Sequence, residues 1–276
     1  KASSNFAFKN SGTFTHNSGT MQIGDGSTST GGAHLMNNTY YNLTINREEN
    51  APDGNTPWRP SSGTEVTIAG DLTVTKGRFY RNSSSNSLVV TGDVDIAANG
   101  QVGTSAASGS NTFGSLTIAS GGTYLATSGT TEITSAASNY AISNAGTFTH
   151  NDGTVTITGG SNQWLHNGPY YNLISNNDSS IGMGIGANIT VANDLTVNAS
   201  KNVGWVSAGN TLTVTGDVIV NGYLNKYNSS TVTADLSFGS LTIASGGTYL
   251  ATSGTTEITS AASNYAISNA GTFTHN

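Results

Sequence analysis

A 39-residue segment occurs twice in this chain without a single difference, as Phe113–Asn151 and again as Phe238–Asn276, at an offset of 125 residues. A shorter period runs inside the segment, because the aromatic residues Tyr124 and Phe148 hold similar positions within it. Short runs of β-forming residues alternate there with turns rich in Gly, Ser and Asn. A chain that returns to a similar side chain about every 22–24 residues is typical of a β-solenoid, in which each coil contacts only its neighbours.

The spacing of apolar residues predicts which side chains stack in the interior, because residues i and i+2 of a strand share a face. The first predicted inner column consists of Leu72/Val74, Val94/Ile96, Leu116/Ile118, Tyr140/Ile142, and then Leu195/Val197, Val218/Val220, Leu241/Ile243 and Tyr265/Ile267. The second consists of Tyr80, Val102, Tyr124, Phe148, Tyr249 and Phe273. The third consists of Val66/Ile68, Leu88/Val90, Ile133, Ile157, Ile189/Val191, Leu212/Val214 and Ile258. The residues between, such as Thr73, Thr117, Thr196 and Thr242, are expected to point outward.

Three columns predict three short strands per coil and a triangular cross-section. The expected fold is all-β, a parallel β-helix with coils of about 22–24 residues, and right-handed because crossovers between parallel strands are right-handed. We expect one continuous solenoid over residues 1–276, with long repeats at 2–135 and 136–260 and a partial third at 261–276. About five coils then fit each long repeat, which advances about 24 Å at roughly 4.8 Å per coil.

Glycine-rich corners are expected between the strands, at Gly70, Gly92, Gly121-Gly122 and Gly216. Positive φ angles are predicted there, because glycine adopts them at no steric cost.

Two segments break the regular spacing, at 18–62 and 152–188, and are predicted to be loops that protrude from the solenoid. Binding residues concentrate on loops held by a rigid scaffold, so the parts at 46–60 and 159–186 are the candidates for lateral contacts or ligands. The side chains proposed for that role are Arg47, Glu48, Glu49, Trp58, Arg59, Trp164, His166, Tyr170 and Tyr171. The alternative for the aromatic residues is packing of the loop base onto the coil.

Composition limits the classes of function. Only 9% of residues are charged and the net charge is −6, which argues against a nucleic-acid partner. No apolar run approaches the roughly 20 residues of a membrane-spanning helix. The chain contains no Cys, so it does not depend on disulfides, and this suits an oxidising extracellular compartment.

Four aspartates recur at one kind of corner: Asp71, Asp93, Asp194 and Asp217. Stacked carboxylates on neighbouring coils resemble the paired acids of glycoside hydrolases. The alternative is that Asp suits the turn and accepts backbone hydrogen bonds. We favour the second interpretation, since Lys and Arg do not flank these positions, and therefore predict no catalytic residue and no enzyme. No cofactor is predicted, with calcium between stacked Asp corners as the alternative.

Two further patterns have plain structural interpretations. His16, His150 and His275 occupy equivalent positions in successive long repeats, so they are expected to lie too far apart to share a metal. Alternating Thr residues resemble the flat ladder of ice-binding solenoids, but Val89 and Glu132 interrupt the outward row. Ordinary outward-facing Thr is the preferred interpretation.

The Gly-Thr-Phe-Thr-His-Asn, Asp-Leu-Thr-Val and Gly-Ser-Leu-Thr-Ile motifs resemble the tandem β-helical stalks of large secreted bacterial and archaeal surface proteins, filamentous-haemagglutinin-like adhesins being the nearest class. The resemblance implies a structural role at the cell surface, as part of a fibre, stalk or adhesin shaft. Since the chain opens inside a repeat and no polar cap is evident, we expect it to continue in a longer chain or to stack end to end. The implied partners are copies of itself or adjoining repeats, axially and laterally, and cell-surface glycans. Alternatives are a polysaccharide-binding or polysaccharide-degrading β-helix like tailspikes and lyases, and an ice-binding solenoid.

Overall fold

The structure, a computed structural model, describes residues 6–8, 13–24, 28–29, 34–35, 39–49, 59–60, 65–79, 85–104, 107–134, 140–160, 163–166, 168–179, 181–183, 188–206, 208–225, 233–259 and 265–275. All the regular elements in these ranges are strands, and neighbouring strands pair in parallel, for example Leu72–Phe79 with Ser87–Gly103. The fold is a parallel β-solenoid. The predicted fold class is confirmed, while the right-handed coil stays a prediction.

The chain forms two compact units, which are described separately. Unit 1 contains Lys1–Thr131 and Asn144–Asn151, and unit 2 contains Glu132–Ser143 and Asp152–Asn276. The strands of unit 1 are Phe6–Phe8, Thr20–Ile23, Thr28–Ser29, His34–Leu35, Thr39–Tyr40, Asn42–Asn46, Glu48–Glu49, Arg59–Pro60, Glu65–Ile68, Leu72–Phe79, Ser87–Gly103, Asn111–Ile118, Thr123–Leu125 and Thr147–Thr149.

Unit 2 is built in the same way. Its strands are Thr154–Ile157, Gln163–Leu165, Gly168–Tyr170, Asn172–Ser175, Ile181–Met183, Ile189–Val191, Leu195–Val197, Asn202–Val206, Thr211–Val220, Tyr223–Leu224, Asp235–Ile243, Thr248–Leu250, Thr256–Ile258, Ile267–Asn269 and Thr272–Thr274. Two more strands, Thr130–Ile133 and Tyr140–Asn144, contribute residues to both units.

The first inner column of unit 1 is confirmed. Leu72 pairs with Val94, and Val94 pairs with Leu116, so the three side chains stack in register. The column begins earlier than predicted, because Met21 pairs with Leu43 and Leu43 with Leu72. The last four of these five side chains are buried. Like side chains therefore stack at successive coils, as the i, i+2 pattern requires.

The other two columns of unit 1 hold with one change of residue. Val66 and Ile68 lie next to Leu88 and Val90 as predicted. In the second column, however, Phe79 rather than Tyr80 pairs with Val102. Phe79 is fully buried, whereas Tyr80 lies outside the described residues. The predicted column therefore names the wrong aromatic residue of an adjacent pair.

In unit 2 the predicted register is confirmed for three successive coils of the first column. Leu195 pairs with Val218, and Val218 pairs with Leu241. The predicted fourth pair is wrong by two residues, because Ile267 and Asn269, not Tyr265 and Ile267, lie over Leu241 and Ile243.

The register is shifted by two residues because an Asn side chain of the strand forms a hydrogen bond within the local turn. Asn269 Oδ1 accepts a hydrogen bond from Gly271 N at 3.0 Å, and in the identical segment Asn144 Oδ1 accepts one from Gly146 N at 3.1 Å. Asn144 is buried. An inward Asn is tolerated because the local turn provides its partner, so the inward pair lies two residues later than the apolar pattern suggests.

The predicted loop at 152–188 is wrong. Val155 lies below Leu173 and Leu173 below Leu195, at coil lengths of 18 and 22 residues. The segment is a short coil of the stack rather than a protrusion. In unit 1, Met21 to Leu43 is an ordinary coil of 22 residues, and only the step from Leu43 to Leu72, at 29 residues, is long.

Candidate functional site

A ladder of polar side chains runs along one corner of unit 1. We call it the corner ladder of unit 1, and it consists of Thr20, Asn42, Asp71, Asp93 and Ser115. Asn42 Oδ1 accepts a hydrogen bond from Asp71 N at 2.9 Å, and Asp71 Oδ1 accepts one from Asp93 N at 2.9 Å. Ser115 Oγ then donates to Asp93 Oδ1 at 2.6 Å. Each side chain thus satisfies the backbone or hydroxyl of the next coil.

Unit 2 repeats the arrangement with the same residue types, and the corner ladder of unit 2 consists of Thr154, Asn172, Asp194, Asp217 and Ser240. Asp194 Oδ1 accepts a hydrogen bond from Asp217 N at 2.8 Å, and Ser240 Oγ donates to Asp217 Oδ1 at 2.5 Å. The prediction that the corner aspartates accept backbone hydrogen bonds is confirmed for Asp71 and Asp194, whereas Asp93 and Asp217 accept a hydrogen bond from a serine hydroxyl. The structural role of Asp71 and Asp93 does not test the catalytic alternative, so the absence of a catalytic residue stays a prediction.

A glycine precedes three of the four ladder aspartates, all except Asp194, and the positive φ predicted for these three glycines is wrong. A Cβ on Gly92 would lie 2.1 Å from Asp71 Oδ1, and one on Gly216 would lie 2.4 Å from Asp194 Oδ1. Neither these residues nor Gly70 have a positive φ, whereas Gly121 does, at 85°. Glycine is needed at the ladder because the side chain of the coil below occupies the space.

Asp95 lies on the outward face beside the ladder of unit 1. Partial burial against the coil raises the pKa of its carboxyl group, and the neighbouring Asp93 and Asp71 raise it further, while a hydrogen bond with Thr117 lowers it. Stacked like charges therefore act on one another here, as expected for charges held about one coil apart.

The histidines do not form a ligand set. His16 Nδ1 accepts a hydrogen bond from Ser18 N at 3.1 Å, and its ring lies 5.5 Å from that of Tyr41, centroid to centroid. In the part of the chain that the structure describes, no group of three or more His, Cys, Asp or Glu side chains could hold a metal ion.

Among the described residues, no helix is long and apolar enough to cross a membrane.

The predicted contact residues of unit 1 lie on the long coil. Glu48–Glu49 is a strand that pairs with Thr28–Ser29, and Arg59–Pro60 pairs with His34–Leu35. The backbone of Arg47 is held by a bond from its N–H to Lys76 O at 3.3 Å. Trp58 lies outside the described residues. The two flanks of segment 46–60 are thus parts of the stack, and their contact role stays a prediction.

The predicted contact residues of unit 2 separate into core and surface. Tyr170 is fully buried, and its hydroxyl donates to His166 O at 3.1 Å. Burial raises the pKa of Tyr170 well above its usual range. Its side chain therefore belongs to the core, which corrects its proposed place on the surface. Trp164, His166 and Tyr171 are half-buried, and their contact role stays a prediction.

The outward rows are mixed in both units. Thr73 pairs with Asp95 and Asp95 with Thr117 in unit 1, while Thr196 pairs with Ile219 and Ile219 with Thr242 in unit 2. The predicted interruption at Val89 is also seen, between Thr67 and Thr112. These rows do not form the regular Thr ladder that the ice-binding alternative requires.

The last coil of unit 2 exposes apolar side chains that the sequence analysis placed in the core. Ile267 is 45% exposed and Phe273 is 37% exposed. Both strands that carry them pair with a preceding coil, Ile267–Asn269 with Asp235–Ile243 and Thr272–Thr274 with Thr248–Leu250. Among the described residues, no strand pairs with their other side. We call the strands Ile267–Asn269 and Thr272–Thr274 the open edge of unit 2.

The stacked columns and corner ladders define the protein as a parallel β-solenoid repeat protein. Comparison with protein-family models finds no matching family, and comparisons with curated proteins and with solved structures find no significant match.

Proposed function

We propose that this chain is a repeat segment of an extracellular structural shaft, in which the solenoid is extended coil by coil. The observation that carries the proposal is that each coil pairs in register with the next one in both units. The segment Phe113–Asn151 illustrates this, because its Ile142 is fully buried and pairs with a strand at Leu165. The repeated sequence is therefore suited to form an internal coil of a longer stack.

Two further features support a structural role. Each ladder side chain satisfies a group on the next coil, so stability accumulates along the axis. Only 9% of residues are charged, which limits repulsion between like side chains stacked at successive coils. The residues thus favour extension of the stack over the building of one unique pocket.

The test is to append a second copy of residues 152–276 directly after Asn276. Since Asn276 ends the segment identical to Phe113–Asn151, the added residues continue the repeat. We expect the particle to be longer by about 27 Å at unchanged width, which corresponds to about five and two-thirds coils at roughly 4.8 Å per coil. Small-angle scattering and electron microscopy measure the length. A control of the same length and composition in scrambled order should give no such increase. A particle that grows in width rather than length contradicts the proposal.

A chemical probe follows the edge itself. The chain has no Cys, so Ile267→Cys introduces a single thiol. We expect it to react rapidly with a maleimide in the 276-residue chain and to be protected in the extended chain.

Antibodies against the protein should label intact cells of the organism that produces it, and labelling only after permeabilisation would overturn the extracellular location.

A specific pocket favours a second candidate function, the binding of a glycan. In unit 1 a surface pocket of about 210 Å³ is lined by aromatic and polar side chains, among them Phe14, His16, Thr20, Tyr40, Tyr41 and Asn42. Aromatic faces beside hydrogen-bonding groups are suited to sugar rings. Tyr41→Ala should then abolish retention on immobilised polysaccharide, while Tyr223→Ala, at an exposed Tyr of unit 2, should not. Equal retention of both variants rejects this candidate.

A further inference from the structure

We propose that the 125-residue repeat advances the solenoid by five and two-thirds coils, so that equivalent side chains of successive repeats lie on different faces and return to the same face only at every third repeat. The inference rests on the pairing of strands in unit 2 and is supported independently in unit 1. It refines the expected value of about five coils per repeat.

The count begins at Ile133. Thr158 N donates to Ile133 O at 2.8 Å, which places Ile157 on the coil above Ile133. The same column then continues in register through Ser175, Val197, Val220 and Ile243. These four later steps are 18, 22, 23 and 23 residues long, as are the matching steps of the corner ladder. Ile243 therefore lies five coils above Ile133 on the same face.

The repeat ends two strands later. Ile258 is the equivalent of Ile133, 125 residues further along the chain. Between Ile243 and Ile258 the chain forms Thr248–Leu250, which pairs with Tyr223–Leu224, and then Thr256–Ile258, which pairs with Leu236–Phe238. With three strands per coil, these two strands add two-thirds of a coil. Ile258 therefore lies on a different face from Ile133, although the surrounding sequence is identical.

Unit 1 shows the same change of face with another repeated motif, Gly-Thr-Phe-Thr-His-Asn. Phe14 of the first copy lies 6.0 Å from Tyr40 between ring centroids, on the face where Tyr40 pairs with Ile68. Phe148 of the second copy pairs with Tyr124, which pairs with Val102 on another face.

The same segment can lie on different faces of the coil because the three faces are built from the same types of residue. Each has Leu, Val, Ile, Phe or Tyr inside and mostly Thr, Ser or Asn outside, and coil lengths in unit 2 vary from 18 to 26 residues. A strand of this composition can therefore lie on any of the three faces of the coil.

In a shaft of many successive repeats, the change of face determines which surfaces other copies of the chain can contact. This consequence rests on the proposed function. Three repeats span 17 coils, so equivalent surface positions on one face recur about every 82 Å at roughly 4.8 Å per coil. A contact carried by the repeat is presented on three faces in turn. Lateral association then proceeds in three directions and produces bundles rather than flat sheets.

The test uses the present chain and its lack of Cys. Glu257 is the outward neighbour of Ser237 on the adjacent coil, with a Cα separation of roughly 4.8 Å, within reach of a disulfide. The double variant S237C/E257C should form a disulfide on mild oxidation, whereas T242C/E257C should not. The pair E132C/T156C is the matched control on the face of Glu132. A T242C/E257C disulfide at the yield of the control overturns the proposal.

Spin labels provide a second measurement that does not depend on disulfide geometry. Labels at positions 132 and 242 should lie about 24 Å apart, five coils along one face. Labels at 132 and 257 should lie farther apart than the about 29 Å that six coils on one face would span. A distance of about 29 Å or less for that pair overturns the proposal. This result is separate from the proposed function, which fails only if the extended chain does not lengthen.

Discussion

Two stretches with the same sequence, Phe113–Asn151 and Phe238–Asn276, differ in burial only in their second halves. Tyr124 and its equivalent Tyr249 are both fully buried. Ile142 is fully buried whereas Ile267 is 45% exposed, and Phe148 is 4% exposed whereas Phe273 is 37% exposed. Ile142 has a further strand beside it, at Leu165, and Ile267 does not, among the residues that the structure describes. Burial in a solenoid is therefore a property of the neighbouring coil and not of the residue's own sequence.

The largest expected effect comes from truncating the two equivalent isoleucines. Ile142→Ala should lower the free energy of unfolding by about 2–5 kcal/mol, because it leaves a cavity in a packed column. Ile267→Ala should cost less than about 1 kcal/mol, since its side chain is already partly in water. Urea unfolding followed by fluorescence measures both. Equal losses would mean that the edge residue is covered in solution, and would remove the contrast between the two copies.

A corner glycine tests the close approach between coils. Gly92→Ala should destabilise the protein by about 1–3 kcal/mol through overpacking, because the new methyl group would meet Asp71 Oδ1. Gly160→Ala is the matched control, since no atom lies within 4 Å of its added Cβ. The control should be neutral or slightly stabilising. Similar thermal midpoints for the two variants would contradict the steric account of the ladder.

The buried tyrosines sharpen the comparison through their hydroxyl groups. Tyr124 Oη accepts a hydrogen bond from Asn111 Nδ2 at 2.6 Å and shares one with Thr131 at 2.9 Å, whereas Tyr249 keeps only the second, with Thr256 at 2.9 Å. Tyr124→Phe should cost about 1–3 kcal/mol because it leaves a buried amide unsatisfied, and Tyr249→Phe about 1 kcal/mol. Thermal unfolding of the two variants measures the difference. An equal cost would show that the Asn111 bond adds nothing.

The smallest effect is electrostatic and concerns the ladder of unit 1. The raised pKa of Asp95 means that the folded state holds its proton at higher pH than the unfolded state. Its contribution to stability is therefore fully present below its unfolded pKa and is lost as pH rises through the folded value.

Asp71→Asn removes one of the charges that raise this pKa and keeps an amide oxygen for Asp93 N, as Asn42 does for Asp71. We expect unchanged stability at low pH and a weaker fall in stability as pH rises from acid toward neutral. Urea unfolding at several pH values across that range measures the fall. Asp71→Ala, which removes the acceptor as well, should lose about 1–2 kcal/mol at every pH. A steeper fall in Asp71→Asn would contradict the assigned sign.

Much of the fold was predictable because stacked coils repeat their demands along the chain. The register of Leu72, Val94 and Leu116 follows from spacing alone, as does the acceptor role of Asp71 and Asp93. Phe113 also belongs to the third column, where it lies next to Val90, and its apolar character and its spacing from Val90 could have revealed it. The shift from Tyr265 to Ile267 was not visible, because an Asn inside a coil is unexpected until its bond to Gly271 is known.

The sequence by itself determined that the chain winds into parallel coils and most of the residues that face inward, since alternation within strands and a recurring coil length admit few other folds. Only the tertiary structure decided where each coil closes, because coil lengths from 18 to 29 residues are all compatible with the same kinds of strands and turns. That freedom places Ile133 and Ile258 on different faces despite identical surroundings in sequence.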